Sequence, residues 1–63
     1  MNRKEILDKR NKIGDEIANL KKATEKTKDY ETGIALNKAI KILKEQYTFY
    51  NNLLKYIGGN YDN

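Results

Sequence analysis

The sequence predicts an all-α protein, an antiparallel two-helix hairpin that assembles into a homo-oligomeric helical bundle. With no Pro and only four Gly among 63 residues, the chain has few places where a helix must break. Leu36, Ile40, Leu43, Tyr47, Tyr50, Leu54 and Ile57 recur at spacings of 4, 3, 4, 3, 4 and 3, the heptad seam of a helix packed along another helix. A second stripe, Ala35, Ala39, Ile42, Gln46, Phe49, Leu53 and Tyr56, repeats that spacing one position earlier. Together the stripes span an arc of roughly 150°, wider than one neighbouring helix covers. The expected oligomer interface is therefore Leu36, Ile40, Ile42, Leu43, Tyr47, Phe49, Tyr50, Leu53 and Leu54.

The first helix is expected over about residues 3–27. Asn2 with Glu5 three residues on resembles a capping box, Asn standing in for Ser or Thr. Ile6, Ile13, Leu20 and Thr27 then take one seam position, and Arg3, Arg10, Ile17 and Thr24 the other. This face is narrow and partly polar, widened on one side by Leu7. Glu5 with Lys9 and Asp8 with Lys12 are i,i+4 pairs in the favourable order, suited to a solvated surface. Gly14 inside the helix reads as a tolerated surface glycine, the alternative being a close approach of another backbone or a ligand.

Periodicity fades toward a turn at about residues 28–31, where Thr27, Asp29 and Thr32 are candidate caps. Asp29 is preferred because Tyr30 and Glu31 then form a first turn with Ile34 on the buried side. The second helix is placed at about 32–57, ended by Gly58-Gly59 as a left-handed cap, with a polar tail over 58–63. The two helices would be about 37 and 42 Å long, in a hairpin about 40 Å tall.

A single domain of this size buries only about 60% of the surface its unfolded form exposes. With no Cys and no His, disulfides and the usual zinc ligands are excluded, which leaves oligomerisation as the compensating device. The same absence removes nucleophilic triads and thiol chemistry, and the carboxylates are scattered beside lysines instead of paired. No phosphate loop or Glu-x-x-His pattern is present. The chain is read as non-enzymatic, with no cofactor and no metal. Its longest apolar run, Ile34 to Leu36, is far short of a signal core or membrane span, so a cytoplasmic location and no membrane partner are expected.

Charge is divided unevenly along the chain. Residues 1–28 hold nine Lys and Arg against five Asp and Glu, whereas residues 29–63 hold four of each. If the hairpin pairs residues whose numbers sum to about 59, Lys21, Lys22, Lys26 and Lys28 share one end with Lys38 and Lys41. That end could face a phosphate backbone or an acidic protein surface, or simply be a solvated lysine face. At the other end Arg10 falls level with Phe49 and Tyr50, and Arg3 with Tyr56. Arg3, Arg10, Tyr47, Tyr50 and Tyr56 are candidate residues for an anionic small molecule such as a nucleotide; the plainer reading makes the rings core, with the arginines snorkelling past them.

In length and plan the chain resembles Rop-type plasmid regulators, helical hairpins that dimerise into four-helix bundles and bind paired RNA loops. In its small size and its Lys-, Asn- and Ile-rich composition it is also similar to phage accessory proteins that inactivate host defences by binding, some of them helical oligomers that sequester nucleotide signals. These resemblances imply a self-associating protein that acts by stoichiometric binding of a nucleotide-like ligand. The alternatives are inhibition or bridging of a host protein and binding of structured RNA.

Overall fold

A computed structural model describes residues 2–61, which form two helices, α1 (Arg3–Lys26) and α2 (Tyr30–Tyr61), folded back on each other as an antiparallel hairpin. Asn2 caps α1, its side-chain oxygen accepting the Glu5 N–H at 2.9 Å and so satisfying one of the helix's orphan donors. At the other end of α1 the Thr24 hydroxyl donates to the Leu20 carbonyl, and the Thr27 N–H reaches the Ala23 carbonyl at 3.0 Å. Thr27 is extended, which turns the chain out of the helix.

The turn is shorter than the sequence suggests. Asp29 accepts both the N–H and the hydroxyl of Thr32 on one carboxylate oxygen, and its own carbonyl receives the Gly33 N–H at 2.9 Å. This draws Tyr30 and Glu31 into the first turn, as the preferred Asp29 cap implies, so α2 begins at Tyr30 and not at about residue 32, while Ile34, expected on the buried side, is exposed. The far end of α2 differs from expectation too. Gly58-Gly59 does not stop the helix, which continues through both to Tyr61. No described glycine has a positive φ. Glycine permits the left-handed cap without compelling it, and a helix that simply continues keeps its backbone bonds made. Of the expected polar tail, Asn60 and Tyr61 belong to α2, while Asp62 and Asn63 lie outside the described residues.

The two helices make a thin rod measuring 50 × 15 × 14 Å. Its radius of gyration is 14.7 Å, against about 11 Å for a compact domain of this length. Among the described residues the buried apolar side chains are Ile6, Ile40 and Leu54. The other apolar seam residues, including Ile13, Ile17, Leu20, Leu36, Leu43, Tyr47 and Ile57, are half-buried. No helix among the described residues is long and apolar enough to cross a membrane.

Gly14 is half-buried and has a structural reason to be glycine. A Cβ built there would meet Cε2 of the Tyr47 ring at 3.2 Å, tighter than ordinary van der Waals contact. The surface reading of Gly14 is therefore replaced by close approach of an aromatic side chain from α2. On an exposed helix surface Gly→Ala stabilises by about 1 kcal/mol. Gly14→Ala is expected to gain less than that in the native chain and the full amount in a Tyr47→Leu background, as read by a double-mutant cycle of urea unfolding.

The hydrogen bonds from Thr32, its hydroxyl first and its N–H second, favour the ionised form of Asp29 and hold its carboxyl below the ordinary value of 3.8. A depressed folded-state pKa adds stability that is fully present above the unfolded value and lost as pH falls through the folded one. Asp29→Asn should therefore flatten the loss of thermal stability below about pH 4, measured by helical circular dichroism across a pH series.

Candidate interaction surface

The seam between α1 and α2 has two edges of opposite character. One edge is closed by a polar clasp. The Arg10 guanidinium donates from Nη1 to the Asn51 side-chain oxygen at 2.9 Å and from Nη2 to the Asn11 side-chain oxygen at 3.2 Å. Its central carbon lies 5.7 Å from the centroid of the Tyr47 ring, within cation–π range. Nε of Arg10 is buried and has no hydrogen-bond partner. Arg10 is half-buried, so this charge is held largely by two amide oxygens and a ring face.

The other edge is open. A groove of about 590 Å³ runs along it, with Lys9, Lys12 and Ile13 of α1 on one side. On the other side stand Ile42, Glu45, Gln46, Phe49 and Tyr50 of α2. The Phe49 and Tyr50 rings meet edge to face, with centroids 5.3 Å apart and planes at 75°. Of the second apolar stripe, Ala39 and Leu53 are half-buried, whereas Ile42 is 56%, Phe49 61% and Tyr56 71% exposed. Phase explains this: the outer stripe is turned roughly 100° from the seam, one residue's rotation, and α1 cannot reach round that far.

The residues proposed to hold an anion do not converge. Arg10 and Tyr47 are in contact, and Tyr50 faces the groove. Arg3 is exposed in the first turn of α1, and Tyr56 is also exposed. The expected interface divides in the same way. Ile40 and Leu54 are buried, and Leu36, Leu43, Tyr47, Tyr50 and Leu53 half-buried, within one copy, while Ile42 and Phe49 remain exposed. Lys21, Lys22, Lys26, Lys28, Lys38 and Lys41 are all exposed. Among the described residues no group of three acidic side chains is placed to hold a metal ion.

Sequence reasoning missed Asn51 in the clasp and Lys9, Lys12 and Glu45 on the groove. Asn51 follows Tyr47 by four residues, one turn further along the same face, and that spacing is the signal that could have found it. Compared with protein-family models, with curated proteins and with solved structures, the chain matches none.

Removing Asn51 leaves a half-buried guanidinium without its cross-helix acceptor, whereas removing the charge and keeping the stem leaves little unsatisfied. Asn51→Ala should destabilise the hairpin by about 1–3 kcal/mol, and Arg10→Met should cost less, compared by chemical denaturation.

Proposed function

We propose that this chain is a non-enzymatic, self-associating helical hairpin that acts by stoichiometric binding, with the uncovered face of α2 as its working surface. The observation that carries the reading is the row Ile42, Phe49 and Tyr56, three large apolar side chains seven residues apart and more than half exposed on a chain with so small a core. A monomer seldom leaves such a row uncovered beside a groove. The accessible surface supports the same reading. At 5103 Å² it exceeds by about 900 Å² the value expected for a compact monomer of 7.4 kDa. A standard interface removes about 800 Å² from each partner.

An anionic ligand is the second reading, favoured by Lys9 and Lys12 standing beside Phe49 and Tyr50 on the groove. It draws little on Arg10, whose terminal nitrogens are engaged by Asn51 and Asn11.

In sedimentation equilibrium the native chain is expected to associate at micromolar concentration. Phe49→Glu should sediment as a monomer while keeping a helical spectrum. A native chain that stays monomeric into the millimolar range would refute self-association. Native mass spectrometry of gently purified protein separates the two readings: a bare oligomer supports the first, and an added small-molecule mass supports the second.

A further inference from the structure

We infer that the face of the rod opposite the groove, the side closed by the Arg10 clasp, is a docking surface for a nucleic-acid duplex, held through its phosphates by lysines of both helices. The inference is independent of self-association, because this face stays open when a second copy covers the groove. It begins from phase. Residues seven apart fall on one side of a helix packed along another, and the bonds from Arg10 to Asn11 and Asn51 mark the rows on the clasp side. The rows of Asn11 and Gly14 on α1, with those of Asn51 and Thr48 on α2, make up that face. Their charged members are Lys4, Lys21 and Glu25 on α1 and Lys41, Lys44 and Lys55 on α2, all exposed.

The other charges lie elsewhere round the rod. Lys9, Lys12, Lys26, Glu5 and Glu16 are on the groove side of α1. Asp8, Asp15 and Lys22 share the row of α1 turned away from α2, and Glu31, Lys38 and Glu45 the row of α2 turned away from α1. The clasp face thus carries five lysines against one glutamate, an excess equal to the whole chain's net charge of +4. Glu45 reaches the border of this face, beside a hollow lined by Lys41, Lys44 and Thr48, and even there the lysines outnumber it.

Height along the rod selects the partner. The Arg10 to Asn51 bond and the approach of Gly14 to Tyr47 both pair residues whose numbers sum to 61. In that register Lys41 and Lys44 stand within about 6 Å of the height of Lys21, and Lys55 within about 3 Å of the height of Lys4. The lysines therefore form two clusters about 20 Å apart, one near the turn and one near the start of α1, each drawn from both helices. Between them Asn11, Gly14, Ala18, Thr48 and Asn51 carry no charge, and the terminal nitrogens of Arg10 are engaged. A single strand lying along the rod would pass phosphates over that neutral stretch. A duplex instead presents two phosphate ridges with a groove between them, about 12 Å wide for the major groove of B-form DNA, and the ridges' own width brings one to each cluster. Phosphate contacts of this kind need no base-specific partner. A bilayer is the poorer fit, because binding at a membrane surface needs apolar side chains beside the lysines. The large apolar side chains exposed on this face are Tyr30 and Ile34, both near the turn.

The test is fluorescence anisotropy of a labelled DNA duplex of about 20 base pairs, titrated with the native chain between 50 and 200 mM salt. Five phosphate contacts predict that affinity falls about 500-fold over that range. Lys21→Gln, Lys41→Gln and Lys44→Gln combined should bind more weakly and reduce the fall to about tenfold. Lys22→Gln, Lys26→Gln and Lys38→Gln combined remove the same charge from the same end of the rod but from other sides, and should keep the native salt dependence. Circular dichroism checks that both variants stay helical; if either does not, Lys44→Gln alone should lower the slope of log affinity against log salt by about one, and Lys38→Gln should not. Equal losses in the two sets would mean that binding follows net charge and would overturn the face. No duplex binding at 50 mM salt would refute the surface outright. A single strand of the same length bound more tightly, or vesicles rich in anionic phospholipid bound in place of the duplex, would overturn the partner.

Discussion

The edge of the Tyr47 ring lies against the bare backbone of Gly14, level with the bond from Arg10 to Asn51 that joins the two helices. A methyl group at residue 14 would make the ring give way by a few tenths of an ångström; its absence lets an aromatic side chain of α2 approach α1 closely. Once Tyr47 is seated there, Arg10 one turn away lies over its ring, and Asn51 one turn further along α2 is brought to the guanidinium. Backbone, ring, cation and amide thus specify one register. An apolar seam of half-buried aliphatic residues specifies register weakly, because a slide of one heptad would again set apolar residues against apolar residues. The polar clasp penalises such a slide by stranding a partly desolvated charge.

The two edges of the seam differ in how they are closed. The Arg10 edge is closed by the clasp, and the opposite edge is the groove lined by Lys9, Lys12, Ile13, Ile42 and Phe49. The outer stripe of α2 then continues past the groove without interruption. The distribution of charge follows the same division. Arg10, the one basic side chain drawn into the hairpin's own packing, sits in the clasp, whereas Lys9 and Lys12 stay on the open margin. Arginine suits the former place because its planar head can meet two amide oxygens and a ring face at once.

Much of this was legible in the chain. The seam of α2 can be read because its spacing is that of a helix against a helix, and its seven members, from Leu36 to Ile57, fall on the covered side. Asn2 and Asp29 are legible as caps because their chemistry is local, a side-chain oxygen meeting an N–H three residues ahead. What escaped depended on partners distant in sequence. Gly14 looks the same whether it faces water or a ring, and only the residue across the seam decides. Arg3 and Arg10 occupy the same heptad position, yet Arg10 has Asn51 and Tyr47 opposite it, while Arg3 stands exposed in the first turn. Gly58-Gly59 misled for another reason: a permissive residue is a poor predictor of where a helix ends when the next residues can continue it. The candidate binding residues were scattered because aromatic and basic side chains at equal heights lie on different edges of the rod.

The two stripes of α2 are turned away from each other on one helix, and this gives the molecule a division of labour. The inner stripe makes most of the packing against the chain's own first helix, and the outer stripe contributes less, chiefly through the half-buried Ala39 and Leu53. Ile42, Phe49 and Tyr56 are more than half exposed, so substitutions there disturb the hairpin's own packing less than substitutions in the seam. A hairpin built in this way can vary a few positions of its exposed face without first having to refold. The same separation lets the outer face be grafted onto another helical rod as a unit, with its spacing and its flanking charges intact.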